Sequence, residues 1–291
     1  MLNLILPVMA PILLCVLVGY VWALLKQPYD TQLVSRLVMT VGAPALIIAT
    51  LATTHVSQAL MLEMVYIAGT LLAGFAISGL VLLRIFRLDI RSFLGPLMFP
   101  NVGNMGLPFC LYAFGEKGLA LALALFMMIS LAHFSIGIML VSGGSFFKQL
   151  VTNPIIYSVA AAMAMIFLDF SLPGWAFKAL DLLASFTIPL MLITLGVSLA
   201  SLKITHVGKS SLLAVLRLAI GVGIGWLVCV IFDLKGVQRG VVLIQASMPT
   251  AVFNYLFASQ YNRNPQVVAG MVVISTLIGF CVLPVLLHYL V

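Results

Sequence analysis

The sequence predicts an all-α polytopic membrane protein of ten transmembrane helices in two inverted five-helix repeats, with discontinuous, crossed fourth and ninth helices. Three observations lead to this fold: the composition, the number of long apolar runs, and a matching interruption in each half. Of the 291 residues, 64% are hydrophobic and only 7% are charged, which is more apolar than a soluble core requires. Barrel strands would instead give alternating segments of ~10 residues, a pattern that the sequence lacks.

Ten apolar runs, most of them about 20 residues long, suit helices that cross a hydrocarbon core of roughly 30 Å. The first run, 4–25, has no basic residue before it and no clear small-residue cleavage site. We therefore expect a retained helix there and not a signal peptide. The other runs lie at 33–54, 60–83, 92–114, 119–141, 154–170, 180–200, 209–232, 237–260 and 266–290. The longest loops, 143–153 and 171–179, leave no room for a soluble domain.

The fourth and ninth runs are each interrupted by helix-breaking residues. Residues 99–108 read FPNVGNMGLP, and residues 245–254 read QASMPTAVFN. Proline removes a backbone donor and clashes with the preceding turn, and glycine weakens a helix further. Backbone groups freed in this way survive inside a bilayer only where they are buried in protein or line a watery cavity. A matching pair of such breaks indicates the binding site of a secondary transporter.

The interruptions occupy corresponding positions in the two halves of the chain. Arg91 and Arg239, which open the two broken runs, lie 148 residues apart. Pro44 in the second run and Pro189 in the seventh lie 145 residues apart. Since each half would cross the membrane five times, an odd number, we expect the second half to be inserted upside down relative to the first.

The distribution of basic residues sets the expected orientation of the two repeats, 1–146 and 147–291. Loops after odd-numbered spans hold nine lysines and arginines, and loops after even-numbered spans hold four. This bias places the first set in the cytoplasm and both termini outside it. We assign the net charge of +7 to these loops and not to a nucleic-acid surface. The four cysteines lie inside apolar runs without metal-ligand spacing, so no disulfide, metal or cofactor is expected.

The interrupted helices carry the predicted chemistry. A half-helix that begins inside the membrane presents unpaired N–H groups and a partial positive charge, which suit an anion. We expect such starts near 104–107 and 250–252. Neither interruption contains an aspartate or a glutamate, so an anionic or zwitterionic substrate is favoured over a cation. The predicted substrate-binding residues are Asn101, Asn104, Pro108, Gln245, Pro249, Thr250 and Asn254, with Ser247 as a further polar residue of the crossing.

Two more residues inside the spans are candidates for coupling or for the substrate pathway. Arg217 lies about nine residues into the eighth run. It either lines the path or holds an acidic partner, or else it extends to the cytoplasmic face. His133 lies deep in the fifth run, where it either carries a proton or serves as a packing residue.

These motifs resemble those of the auxin efflux carrier family. Residues 101–108, followed by FGEKG at 114–118, look like the fourth helix of that family. ASMPTA at 246–251 and STL at 275–277 resemble its second half. The resemblance covers essentially the whole chain. It implies a bacterial-type member in the inner membrane, without the long cytoplasmic loop of the plant carriers and with an architecture like that of bile-acid sodium symporters and sodium/proton antiporters.

The same resemblance implies a division of labour among the helices. A scaffold domain of helices 1, 2, 6 and 7 would hold a mobile transport domain of helices 3–5 and 8–10, which would move as an elevator to give alternating access. The scaffold would also carry a homodimer interface. The implied substrates are small organic anions such as indole acetate, malate and malonate. Because the crossing lacks the acidic residues of cation-coupled relatives, transport driven by the membrane potential is favoured.

Three other functions are open to the sequence. A sodium- or proton-coupled symporter of the bile-acid type is the main alternative to an uncoupled carrier. An intramembrane enzyme is disfavoured because the sequence has neither paired aspartates for prenyl transfer nor an HExxH motif, and Ser198 with His206 is a chance-level protease match. A channel is disfavoured because no ring of like charges and no carbonyl filter sequence is visible.

Overall fold

The computed structural model describes residues 2–53, 58–143 and 172–290, together with residues 157, 160, 161 and 164. Within these residues the regular structure is helical, apart from one isolated antiparallel bridge between Pro100 and Thr250. Apart from those four single residues, the predicted sixth span lies outside the described residues, as does most of the loop before it.

The described part of the first half consists of helices joined by short π-helical turns. The helices are α1 Leu2–Leu24, α2 Thr31–Leu37, α3 Ala43–Thr53, α4 Gln58–Ile85, α5 Ile90–Met98, α6 Leu107–Ala132 and α7 Ile138–Ser142. π-Helical turns at Val38–Gly42 and His133–Gly137 join α2 to α3 and α6 to α7, and a third at Val102–Gly106 leads into α6. Gly115 inside α6 has φ 65° and ψ −159°, a conformation essentially restricted to glycine, so two helices meet there at a turn.

The described part of the second half contains six α-helices. They are α8 Gly174–Ser185, α9 Thr187–Ser201, α10 Val207–Ile231, α11 Gly236–Ala246, α12 Val252–Gln260 and α13 Pro265–Leu290. The assignment of 171–179 to a loop was wrong from Gly174 onward, because α8 begins there. Pro173 precedes its first turn, a position proline favours, and Phe177 packs against the core. Lys178 and Asp181 lower the local hydropathy, which hid this helix from a search for apolar runs.

Seven stretches within the described residues are long and apolar enough to cross a membrane, by length and composition. They are Leu6–Leu24, Thr31–Thr50, Leu62–Ile85, Val102–Ser142, Gly174–Ser201, Val207–Ile231 and Pro265–Tyr289. The protein is therefore a polytopic, all-helical membrane protein. The α5, α11 and α12 helices have 9, 11 and 9 residues. At about 1.5 Å per residue, none of them crosses the bilayer alone.

The helices pack in two groups around the interruptions. α1 lies against α9, where Gly19 meets the carbonyl of Ile193 and Gly196 meets that of Val16, so a side chain at either glycine would clash with backbone. α3 packs on α8. In the other group α10 contacts α4, α5, α11 and α13, while α6 packs against α4 and α11. The interrupted segments lie between the two groups, because the turn Val102–Gly106 contacts both α9 and α11.

Candidate substrate site at the crossing of two interrupted helices

The two interruptions pair with each other through their backbones. Pro100 and Thr250 form the antiparallel bridge. The Asn101 N–H donates to the carbonyl oxygen of Pro249 at 2.7 Å, and the Ala251 N–H donates to that of Phe99 at 3.2 Å. Each break thus supplies partners for groups that the other has freed, which buried polar backbone requires. The two breaks therefore lie against each other in the folded chain.

Four helix ends meet at this crossing. α5 ends at Met98 and α11 at Ala246, so both present carbonyl groups and a partial negative charge. The turn leading into α6 begins at Val102 and α12 begins at Val252, and these ends present N–H groups and a partial positive charge. The second start lies where it was expected. The first comes a little earlier because the Gly106 N–H bonds to the carbonyl of Asn101, which extends the helix backwards as a π turn.

Arg217 closes the two C-terminal ends. Its guanidinium donates to the carbonyl oxygens of Leu97 at 2.8 Å, Ala246 at 2.7 Å and Met248 at 3.4 Å, and its Cζ lies 4.6 Å from the centre of the Phe75 ring. The residue is 0% exposed. Arg217 does not extend to the cytoplasmic face, and among the described residues its partners are backbone carbonyls instead of an acidic side chain, because the helix ends provide the negative charge. The reading in which Arg217 lines the substrate path stays a prediction.

Thr250 and Ser275 tie the crossing to its neighbours. The Thr250 hydroxyl donates to the carbonyl of Pro96 at 3.1 Å near the end of α5. The Thr250 N–H donates to the Ser275 hydroxyl at 3.2 Å, and Ser275 in turn bonds to the carbonyl of Val272 in α13. Ser275 was not predicted as a site residue. Its signal is a hydroxyl in the middle of an otherwise apolar run.

The Asn254 side chain bonds to two residues of the first half of the chain. Its Nδ2 donates to the carbonyl of Phe99 at 3.2 Å, and its Oδ1 lies 3.0 Å from the Nε2 of His133. With the amide oriented in this way, Nε2 must carry the hydrogen. The His133 ring stacks on Phe99 with centroids 4.4 Å apart and meets the edge of Phe257 at 5.4 Å. This environment favours the reading of His133 as a buried packing residue.

Several polar atoms at the crossing are buried without a hydrogen-bond partner in the protein. They are Asn101 Nδ2, Gln245 Nε2, Gln245 Oε1 and Ser247 Oγ. An unpartnered buried polar group costs about 1–3 kcal/mol, so such atoms call for an explanation such as a bound ligand or water. The Gln245 amide lies directly against Gly106, where any side chain would collide with it. These groups supply donors and acceptors beside the start of α6.

Asn104 borders a narrow cleft toward the other helix group. This cleft, of about 180 Å³ in all, does not admit a water molecule. It is lined by Ser35, Val38, Met39, Asn104, Met191, Thr194 and Phe253. The Asn104 side chain makes no hydrogen bond to the described protein, unlike that of Asn254. The two asparagines therefore lie in different environments: Asn254 is bonded within the crossing, and Asn104 lines this cleft.

A larger cavity of about 890 Å³ continues from this cleft to the surface. The two share Ser35, Met39 and Phe253, so these side chains form the constriction between the cavity and Asn104. The wall combines aromatic rings with polar and cationic groups. Its members include Gln32, Arg36, Phe134, Phe257, Ser259 and Gln260. None of these wall residues was predicted from the sequence, because they come from α2, α12 and the turn after α6, which are distant in the chain.

A third cavity, of about 270 Å³, lies at the far end of the α2–α3 segment. It is lined by residues of α3, α6, α8 and α9, among them Glu116, Asp181 and the predicted repeat marker Pro189. The two cavities therefore differ in charge. The large cavity has Arg36 in its wall, whereas the third cavity has the carboxylates of Glu116 and Asp181. Within the described ranges, no three His, Cys, Asp or Glu side chains cluster closely enough to hold a metal ion.

The two prolines predicted at the site have backbone roles. Pro108 is buried in the first turn of α6, where its missing N–H costs little. Pro249 accepts the hydrogen bond from Asn101, and its ring faces Gly279 of α13 at ordinary contact distance. Both therefore shape the crossing through their backbone and ring.

Comparisons with known proteins give the family of the chain. The family model described as "Membrane transport protein" matches residues 4–143 and 136–287. An uncharacterized transporter of Methanocaldococcus jannaschii is 25% identical over 94% of each chain. A Rhizobium meliloti protein described as a candidate malonate transporter is 26% identical over 94% of this chain and 92% of its own. Auxin efflux carrier component 1 of Arabidopsis thaliana is 25% identical over 49% of this chain and 24% of its own. The chain therefore belongs to the membrane transport protein family that includes the auxin efflux carriers, and it is a transporter and not an enzyme.

Proposed function

We propose that the protein is a secondary carrier that moves a small organic anion across the inner membrane by alternating access. The substrate would be a carboxylate such as an auxin-like aromatic acid, malate or malonate. The observation that carries this proposal is the unequal treatment of the four helix ends at the crossing. Arg217 compensates the two negative ends, whereas neither interruption has an acidic side chain to compensate the two positive ends.

The charge balance at the crossing favours an anion. Each helix end carries roughly half an elementary charge, so two N-termini attract an anion while two C-termini oppose it. With the C-termini bonded to a guanidinium, the positive potential of the starts of α6 and α12 is left without an opposing group. A carboxylate that reached these ends would gain roughly 1.5–3 kcal/mol for each charge-assisted hydrogen bond.

Asn104 is the side chain that the geometry best supports as a ligand of the carboxylate. It lies in the turn that leads into α6, borders the cleft, and makes no side-chain hydrogen bond to the residues that the structure describes. The orphan donors of Asn101 and Gln245 lie at the same crossing. In this proposal Thr250, Pro108, Pro249 and Asn254 maintain the shape of the site, because each is engaged in backbone or side-chain contacts within it.

The large cavity supports a carboxylate that carries an apolar or aromatic part. Its volume of about 890 Å³ is in the range of ligand pockets, and Phe134, Phe253 and Phe257 form a contiguous aromatic wall. The names of the relatives, which mention malonate and auxin, bracket a range from a small dicarboxylate to an aromatic monocarboxylate.

For the architecture we propose ten spans in two inverted repeats, 1–146 and 147–291, with both termini outside the cytoplasm. The scaffold would contain the α1–α9 and α3–α8 contacts, and the transport domain would contain α4–α7 and α10–α13. The cleft and the large cavity lie between these groups, where an elevator movement would open and close access. The lipid-facing or partner-facing apolar residues of α1, such as Leu14, Leu17 and Val21, offer a surface for a homodimer through the scaffold.

The test is transport by the purified protein in proteoliposomes. Radiolabelled malonate, malate, indole acetate and a simple aromatic acid would be compared with an organic cation such as tetraethylammonium, at several imposed membrane potentials. We expect uptake of at least one carboxylate and none of the cation. Uptake of the cation would overturn the proposal. So would the absence of uptake of every carboxylate by a protein that a thermal unfolding measurement shows to be folded.

The Asn104→Ala variant, measured in the same transport experiment, tests whether Asn104 belongs to the substrate site. Loss of one or two hydrogen bonds to a carboxylate should raise the apparent KM by about tenfold or more, with little change in unfolding temperature. Thr70→Val is the matched control, since Thr70 lies exposed on α4 and bonds only within its own helix. Equal KM values for both variants and the wild type would remove Asn104 from the site.

A further inference from the structure

The surroundings of Arg217 have the composition of a cation-binding site. Three carbonyl oxygens, of Leu97, Ala246 and Met248, converge on one positive group from two different interrupted segments. The face of the Phe75 ring closes a further side at 4.6 Å. No carboxylate lies within ion-pair distance of Arg217 among the residues that the structure describes. The charge is therefore held by backbone oxygen and an aromatic face alone.

Carbonyl groups at half-helix C-termini are the ligands that transporters with interrupted helices use for a coupling cation. Such oxygens can replace the hydration shell of an alkali-metal ion. Here the guanidinium takes the position of the cation among these oxygens, because its planar donors reach oxygens of both segments at once. Arg217 is fully buried, and its guanidinium nitrogens lie at hydrogen-bond distance from the three oxygens.

We propose that Arg217 is a built-in cation that occupies the place of a coupling ion. The positive charge at the crossing is then always present, and the carrier needs no sodium or potassium. In a cation-coupled carrier, an ion must arrive to neutralise the two C-terminal ends before the crossing is assembled. In this protein a covalently attached charge neutralises them at all times. Removing the side chain should therefore create an empty, carbonyl-lined cation site.

A binding experiment tests this directly and does not depend on the substrate. The unfolding temperature of the purified protein would be measured in NaCl, KCl and choline chloride at equal ionic strength. The wild type should give the same unfolding temperature in all three. Arg217→Ala should unfold at a lower temperature in choline chloride and should be stabilised along a saturating curve by sodium, potassium or millimolar guanidinium, since a ligand that binds only the native state raises its stability.

Arg263→Ala is the matched control for this measurement. Arg263 also donates to a helix-end carbonyl, that of Val141 at 3.3 Å, but at a partly exposed position. Its loss should produce no cation-specific stabilisation. If Arg217→Ala does not fold, Arg217→Lys, which keeps the charge but loses the planar donors, should fold and remain insensitive to the choice of cation.

Two results would overturn the proposal. One is a saturable stabilisation of the wild type by sodium or potassium. The other is a folded Arg217→Ala that is stabilised by none of sodium, potassium and millimolar guanidinium relative to choline chloride. A transport measurement, which rests on the proposed function, would complement the binding experiment. Wild-type carboxylate uptake should have the same rate in sodium and choline media. Any uptake left in Arg217→Ala should depend on the cation. Because the binding arm needs no substrate, its failure is distinct from failure of the proposed anion transport.

Discussion

The two faces of the crossing are built from the same four helix ends but are completed in opposite ways. On the face toward α10, the carbonyl ends of α5 and α11 are bonded to Arg217, and Thr250 adds a bond to Pro96. On the face toward α2 and α9, Asn104 borders a cleft, and its side chain has no hydrogen-bond partner in the described part of the chain. The closed face makes the crossing stable inside a membrane. The open face leaves polar groups that a ligand can use.

Polar residues of similar type in two matching interruptions therefore need not have matching roles. Asn104 and Asn254 both follow a helix break, yet Asn254 is bonded to His133 and Phe99 while Asn104 lines the narrow cleft. Substitutions on the closed face should therefore affect stability first, and substitutions on the open face should affect binding first.

The largest effect is expected on the closed face at Arg217. In Arg217→Ala the carbonyls of Leu97, Ala246 and Met248 lose their donor inside the protein, at about 1–3 kcal/mol each. We expect a loss of at least about 3 kcal/mol in stability, read as a large fall in unfolding temperature in choline chloride. Asn104→Ala, measured in parallel, should unfold close to the wild type. If Asn104→Ala were the less stable of the two, the assignment of the faces would be reversed.

A smaller loss of stability is expected for Asn254→Ala. The change removes the bonds to His133 and to the Phe99 carbonyl, so we expect roughly 1–3 kcal/mol, again as a fall in unfolding temperature. Thr70→Val is again the control, because the Thr70 hydroxyl bonds only within α4. Wild-type stability together with weakened carboxylate binding in Asn254→Ala would move this residue to the open face and restore it as a direct ligand.

The smallest effect is expected at the mouth of the large cavity. Arg36 is exposed there and attracts anions through a screened field. Arg36→Gln should raise the apparent KM for a carboxylate by about two- to threefold at low ionic strength, with the difference disappearing in high salt. Arg84→Gln changes an exposed arginine at the end of α4 and should leave KM unchanged. A salt-independent change in Arg36→Gln would instead indicate direct contact with the substrate.

The sequence predicted the parts of the site that depend on local chemistry. The positions of the breaks, the restart near 252 and the turn at Gly115 follow from proline and glycine, which act on the backbone where they stand. The start of α8 was missed because Lys178 and Asp181 dilute an amphipathic helix whose apolar side packs on the core. A search for uniformly apolar runs does not detect such a helix.

The roles of Arg217, Ser275 and Phe253 were beyond the sequence for a different reason. Each role depends on which elements meet in space. Ser275 bonds to Thr250, 25 residues away, and Arg217 bonds to Leu97, 120 residues away. An arginine inside an apolar run signals a function or a partner. Nothing in the run itself shows that the partner is a pair of helix ends.

The amino-acid sequence is enough to predict a helical membrane protein whose helices break at two matching places, because hydrophobic length and proline chemistry act locally. It also shows that no acidic residue lies in either break. Which helix ends are neutralised and which stay open became clear only in the folded molecule, because that depends on Arg217 of α10 reaching the ends of α5 and α11 at once. Electrostatic balance at the crossing is a property of packed helix ends, and packing is set by contacts between distant parts of the chain.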